Sequence, residues 1–114
     1  MDTKTFLNNT GLKKTYKGTE YIIKIINECN YFDLIETPIS KIIDAVAKIK
    51  KKTSTSIKRD ILYAKNKHLE NMNKEIKEKI FEKYDTTNIS TKNYIIALKI
   101  AINNSENILP TKNW

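Results

Sequence analysis

The stretch KKKTSTSIKRDI, Lys50 to Ile61, sets three lysines before four hydroxyl residues and then opens an apolar spacing broken by Lys58 and Arg59. It reads either as a flexible basic linker or as a turn between two helices with the start of the second. Its flanks favour the turn. Upstream, Ile42, Ile43, Val46, Ala47 and Ile49 recur at helical spacing behind Thr37 and Pro38, which read as N-cap and first helical position. Downstream, Ile57, Ile61, Ala64 and His68 fall at i, i+4, i+7 and i+11, one inward face of a helix that Thr53 or Ser54 would cap. The first helix, about residues 38–50, should end at the lysines, because cations complement the negative end of a helix dipole. The second, about residues 54–67, leaves Thr55, Ser56, Lys58, Arg59 and Leu62 partly or wholly outside.

Helical spacing governs the remaining chain as well. Asp2 or Thr3 caps a short helix carrying Phe6 and Leu7, with Gly11 as its stop. Thr19 caps a helix whose Tyr21, Ile22, Ile25, Ile26 and Cys29 form one apolar stripe, and YFDLIETP is an aromatic connector or a short helix. Leu69, Met72, Ile76, Ile80, Phe81 and Tyr84 make another helix, with charge pairs such as Glu75 with Lys79 and Lys74 with Glu78. DTTNIST is a loop, and Ser90 or Thr91 opens a last helix bearing Tyr94, Ile95, Leu98, Ala101 and Ile102. The expected fold is all-α: one domain of roughly six helices over residues 1–104, containing a helix-turn-helix, and a polar C-terminal tail over 105–114 with Trp114 at its end.

Composition narrows the function classes. With 114 residues, 39% of them hydrophobic, and only two glycines and two prolines, the chain should form one ordered domain. The lone Cys29 excludes an intramolecular disulfide and is read as a core residue; no cysteine or histidine cluster has metal-ligand spacing. No metal and no cofactor are expected. The start lacks an apolar signal core and no run approaches the roughly 18 apolar residues of a membrane span, so a cytoplasmic protein with no membrane partner is expected.

The formal charge is +8, in a chain rich in lysine, isoleucine and asparagine, as AT-rich coding produces without selection for binding. Position carries more information than the total. Between Lys48 and Lys67 there are eight basic residues and one acid, whereas the rest of the chain holds 13 basic and 12 acidic residues. Such a concentration suits an anionic partner.

Two helices joined by a tight turn, the second beginning with exposed hydroxyl and basic residues, match the needs of a helix-turn-helix reader of double-stranded DNA. The second helix enters the major groove N-terminus first, so its early exposed positions must be donors. Thr55, Ser56, Lys58 and Arg59 are the candidates for bases or adjacent phosphates; Lys50, Lys51, Lys52, Thr53 and Ser54 are candidates for the DNA backbone. Arg59 is the only arginine among 21 basic residues, and an arginine grips a guanine edge through two hydrogen bonds that lysine does not supply. The bland alternatives are a surface arginine, or one paired with Asp60 or another acid, and a solvated lysine run. His68, the only histidine, is read as structural. No carboxylate pair, phosphate-cradling loop or nucleophile motif occurs, so there are no catalytic candidates and an enzyme is not expected.

These segments resemble a known family. FLNNTGLKKTYKGTEYIIKIIN, residues 6–27, is similar to the opening of the C-terminal effector domain of the stage-zero sporulation protein A family, response regulators of spore-forming Firmicutes. The shared pattern is Gly11 and Leu12, then Lys17 and Gly18, then Tyr21 before an aliphatic residue. ISKII, VAK and TSTSIKRDILYA resemble the family's helix-turn-helix, with Ala47, Thr53, Ile57, Arg59, Ile61 and Ala64 matching after a single-residue gap. KEIKEKIF and STKNYIIALKIAI resemble its last two helices, and the similarity runs over about residues 3–102. The resemblance implies a six-helix transcription factor of sporulation that pairs head to tail on repeated sites and engages the transcription machinery. In the family a phosphorylatable receiver precedes this domain. This chain has no room for one, so a stand-alone effector domain, or one cut from a longer protein, is expected. Where the family has arginine, glutamate and arginine in the recognition helix, this chain has Ser56, Lys58 and Leu62; Arg59 is retained, Asp60 replaces an alanine, and Lys50 replaces an apolar residue. Those changes leave two rivals open: a protein–protein module that keeps the fold and modulates a full-length relative, and a nonspecific DNA-coating protein.

Overall fold

Side-chain caps open five of the helices in the computed structural model, which describes residues 1–108, the side chains of Glu106 and Asn107 excepted. Asp2 accepts from the Thr5 N–H and opens α1 (Thr3–Asn9). The helix closes in a Schellman motif, in which the Leu12 N–H reaches the Leu7 carbonyl at 2.9 Å and the Gly11 N–H that of Asn8 at 3.2 Å. Gly11 sits at φ 106, a conformation open to glycine and costly for other residues. Next come α2 (Lys17–Glu28) and α3 (Tyr31–Glu36); the connector is thus a helix, started by a reciprocal capping box between Asn30 and Asp33. Then follow α4 (Ile39–Lys50), α5 (Ser54–Asn71), α6 (Lys74–Ile80), α7 (Thr91–Asn103) and the single turn α8 (Ser105–Ile108).

The fold is all-α, as expected, but it holds eight helical segments among the described residues rather than six. One extra segment is α3. A second difference lies between residues 69 and 84, where one helix was expected: Leu69 ends inside α5, and α6 begins afresh behind Asn73, whose side chain caps Glu75 and Ile76. Apolar spacing runs straight across that break, and the expected pairs of Glu75 with Lys79 and Lys74 with Glu78 do not form among the described residues. The third is α8, in which Ser105 is buried and Ile108 packs on the core, so helical structure extends past residue 104. Residues 109–114 of the expected tail, Trp114 included, lie outside the described residues.

Two smaller expectations also shift. Thr19 does not cap α2; the N-cap is Tyr16, three residues earlier, and the Thr19 hydroxyl donates to the Lys13 carbonyl. Pro38, not Thr37, occupies the N-cap of α4.

α5 is the axis of the molecule, packed against α2, α4 and α7. α7 buries Tyr94, Ile95, Ile96, Ala97, Leu98 and Ala101, most of its circumference, and leaves Asn93, Ile100 and Asn103 exposed on one side. Two of its lysines leave the core to bind other helix ends: Lys99 donates to the Ile26 carbonyl near the end of α2, and Lys92 to the Ile35 carbonyl near the end of α3.

His68 ties three helices together. Thr10 directs its hydroxyl to the Leu7 carbonyl, so the imidazole Nε2–H donates to Thr10 Oγ1 at 2.8 Å, while Nδ1 accepts from the Tyr94 hydroxyl at 2.6 Å. This neutral tautomer satisfies every polar atom in a dry site. Burial holds the imidazole near a pKa of about 3 and pushes the Tyr94 phenol well above its ordinary value. The histidine is structural, as its inward position implied.

Candidate nucleic-acid interface

α4 and α5 are joined by Lys51, Lys52 and Thr53 alone. Lys51 takes a left-handed conformation in this short connection, with φ 56 and ψ 45. The Lys52 N–H then reaches the Ala47 carbonyl at 3.0 Å, closing α4 in the same Schellman pattern as α1. Glycine is the usual occupant of this position, and Lys51 is the one non-glycine residue with positive φ among those described. Thr53 caps α5 by accepting from the Ser56 N–H at 3.1 Å. The Ser54 hydroxyl is already engaged: it donates to Asp44 on α4 and pins the two helices at the turn.

Helical period sorts the first four turns of α5 into two lines. Ile57, Ile61, Ala64 and His68 are all essentially fully buried. Thr55, Arg59, Leu62 and Asn66 each stand two residues before one of them, about 200° around the helix, and all four are exposed. Of the four base-contact candidates, Thr55 and Arg59 lie on this outward line. Lys58 is exposed on one flank and Ser56 is half-buried on the other.

The inner line alone does not hold α5 in place. Gly18, in the first turn of α2, lies against the α5 backbone so closely that a Cβ there would meet the Asp60 carbonyl oxygen at 2.1 Å and the Ile61 Cα at 2.9 Å. No side chain fits at this point of the crossing. Beside this crossing, Tyr16 packs edge-on against Tyr63, and Asn71 donates to the Tyr16 hydroxyl at 3.2 Å. Glu20 of α2 stands 4.0 Å from the Lys50 ammonium. The N-terminal turn of α2 therefore braces both members of the helix pair.

The cationic surface is thinner than the sequence implied. Lys65 is buried, its ammonium donating to the Ile89 carbonyl at 2.8 Å, and burial lowers its pKa. Lys67 pairs with Glu70 and leans over the Tyr63 ring. Lys48, Lys51, Lys52, Lys58 and Arg59 are exposed and form no ion pair among the described residues; Asp60 does not pair with Arg59. Cys29 caps the C-terminus of α2, only partly buried. Burial first, then the Asp33 and Glu28 carboxylates, push its thiol upward, the opposite of what a reactive thiolate needs. No helix among the described residues is long and apolar enough to cross a membrane.

The part Gly18 plays is not legible in the sequence, since it depends on a crossing between residues more than 40 positions apart in the chain. Asn66 is signalled in the sequence only by its i, i+4, i+7, i+11 spacing from Thr55. No protein-family model, no curated protein and no solved structure matches this chain.

Proposed function

We propose that the chain is a sequence-specific DNA-binding regulator of transcription, acting in the cytoplasm on double-stranded DNA through α4, the turn and α5. The observation that carries this reading is the outward line of α5. A braced helix, preceded by a turn of exposed lysines, presents Thr55 and Arg59 on its outward side, and Arg59 forms no ion pair among the described residues. Arg59 takes a guanine edge, and Thr55, Ser56 and Lys58 contact adjacent bases or phosphates. Lys50, Lys51 and Lys52 neutralise the DNA backbone. Thr53 and Ser54 serve it chiefly through the helix start: the Ser54 and Thr55 N–H groups have no intrahelical acceptor and suit a phosphate oxygen. Consistent with the sporulation-regulator resemblance, the protein pairs head to tail on repeated sites and engages the transcription machinery.

Selection from random genomic fragments, followed by sequencing of the retained pool, tests the proposal with wild type and Arg59→Lys. An enriched motif that loses one guanine preference in the variant supports it. A motif unchanged at every position removes Arg59 as its reader.

A second reading has its own observation. On α3, Phe32 is 74% exposed, with Tyr31 and Ile35 beside it, and Tyr31 rims a groove floored by Ile80, Ile96 and Ala101. Exposed apolar surface of this kind suits a protein partner. Loss of partner capture in Phe32→Ser, in a protein that retains no DNA, would favour the protein–protein module.

A further inference from the structure

We infer that Leu62 is a base-reading residue, supplying the apolar contact for the C5-methyl group of a thymine in the major groove. This rests on the DNA-reading proposal and deepens it. A lone exposed leucine is ordinary on a protein surface. Leu62 is distinguished by its place. It is 43% exposed and lies on the outward line between Arg59 and Asn66, about 200° from Ala64, so the core makes no demand for it there. Its neighbours along this face are polar or cationic, with Lys58 and Arg59 in the preceding turn and Asn66 in the next, while the adjacent exposed Tyr63 packs against Tyr16. A helix face that carries charge toward phosphates and one branched apolar group toward the bases is complementary to one feature of the major groove. The thymine methyl is the apolar group displayed there; the other base-edge groups are hydrogen-bond donors and acceptors.

Position sharpens the assignment. Leu62 follows Arg59 by three residues, a rise of about 4.5 Å, against about 3.4 Å per base pair. The thymine should therefore lie within about two base pairs of the guanine that Arg59 contacts. Thr55 also carries a methyl group on the same line, a full two turns nearer the helix start. It is the competing source of the same preference.

Deoxyuridine differs from thymidine by that methyl alone, which allows a direct test. The duplex selected by the wild-type protein is synthesised with each thymine replaced singly by deoxyuridine, and affinities are measured for wild type, Leu62→Ala and Thr55→Ser. One thymine near the Arg59 guanine should show a loss of about fourfold on replacement, the equivalent of one buried methylene. In Leu62→Ala that position should bind thymine and uracil equally, while Thr55→Ser keeps the difference. The inference is overturned if no thymine shows methyl dependence, if Leu62→Ala retains it, or if Thr55→Ser removes it. These results leave the enriched motif, and with it the DNA reading, standing. If wild type enriches no motif, the DNA reading falls and Leu62 falls with it. Each variant is its own folding control, because thymine and uracil duplexes are compared on the same protein.

Discussion

His68 should make this fold sensitive to mild acid. In the folded chain the imidazole is held near a pKa of about 3 by burial, whereas an exposed histidine titrates near about 6.5. Between those values the unfolded chain binds a proton that the folded chain refuses. Stability therefore rises with pH across that window, is fully present above about pH 6.5, and declines as pH falls toward 3. At pH 5 the unfolded imidazole is about 1.5 units below its own pKa, which gives a loss of about 2 kcal/mol relative to pH 7.5 from this group alone. The geometry explains why the site does not adapt. A proton on Nδ1 would face the Tyr94 hydroxyl hydrogen, and Nε2 already donates to Thr10. For a chain of 114 residues the loss corresponds to a melting temperature about 8 °C lower at pH 5. Because His68 is the only histidine, its ring protons give unambiguous NMR signals, and the titration is read alongside thermal unfolding at both pH values. A folded-state midpoint near 6.5, or equal stability at pH 7.5 and 5, would refute the reasoning.

Other substitutions probe the brace and the turn. Gly18→Ala places a methyl group into the Asp60 carbonyl and should force α2 from α5, costing about 3 kcal/mol and lowering the melting temperature by about 12 °C; a change under about 2 °C means that the helices part freely. Lys51→Gly relieves a left-handed residue and should raise stability by about 1 kcal/mol in urea unfolding, while reducing the salt dependence of DNA binding by about one phosphate contact. No stability gain would mean that Lys51 bears little strain. Arg59→Lys should cost about 1 to 3 kcal/mol at one guanine position while leaving the other positions of the selected motif intact.

Much of α4 and α5 was legible because local signals agreed. The lysines, the Thr53 cap and the four-residue inner line all marked the same boundary, and each depends on residues within a turn or two. The α5–α6 break was hidden for the converse reason: Leu69, Met72, Ile76 and Ile80 keep a helical period on both sides of Asn73, so the cap was the one dissenting signal. Thr19 resembles a cap because a threonine before an apolar stripe usually is one; its hydroxyl instead serves the Lys13 carbonyl in the loop that precedes α2. Lys65 reads as surface charge because its sequence neighbours are basic, while its partner, the Ile89 carbonyl, is 24 residues away. The same limit applied to the site. Arg59 and Thr55 could be placed outward by counting from Ile57. That Ser54 is taken up by Asp44, and that Gly18 fixes the height of α5, required the tertiary structure.

The central claim is that α5 reads DNA by sequence, and selection from random genomic fragments at two salt concentrations tests it most directly. The account predicts an enriched motif at both, with total retention falling steeply as salt rises, since lysines supply the affinity and the outward line of α5 supplies the choice. Uniform retention without a motif would reduce the protein to a coating of DNA, and no retention near physiological salt would contradict DNA binding altogether.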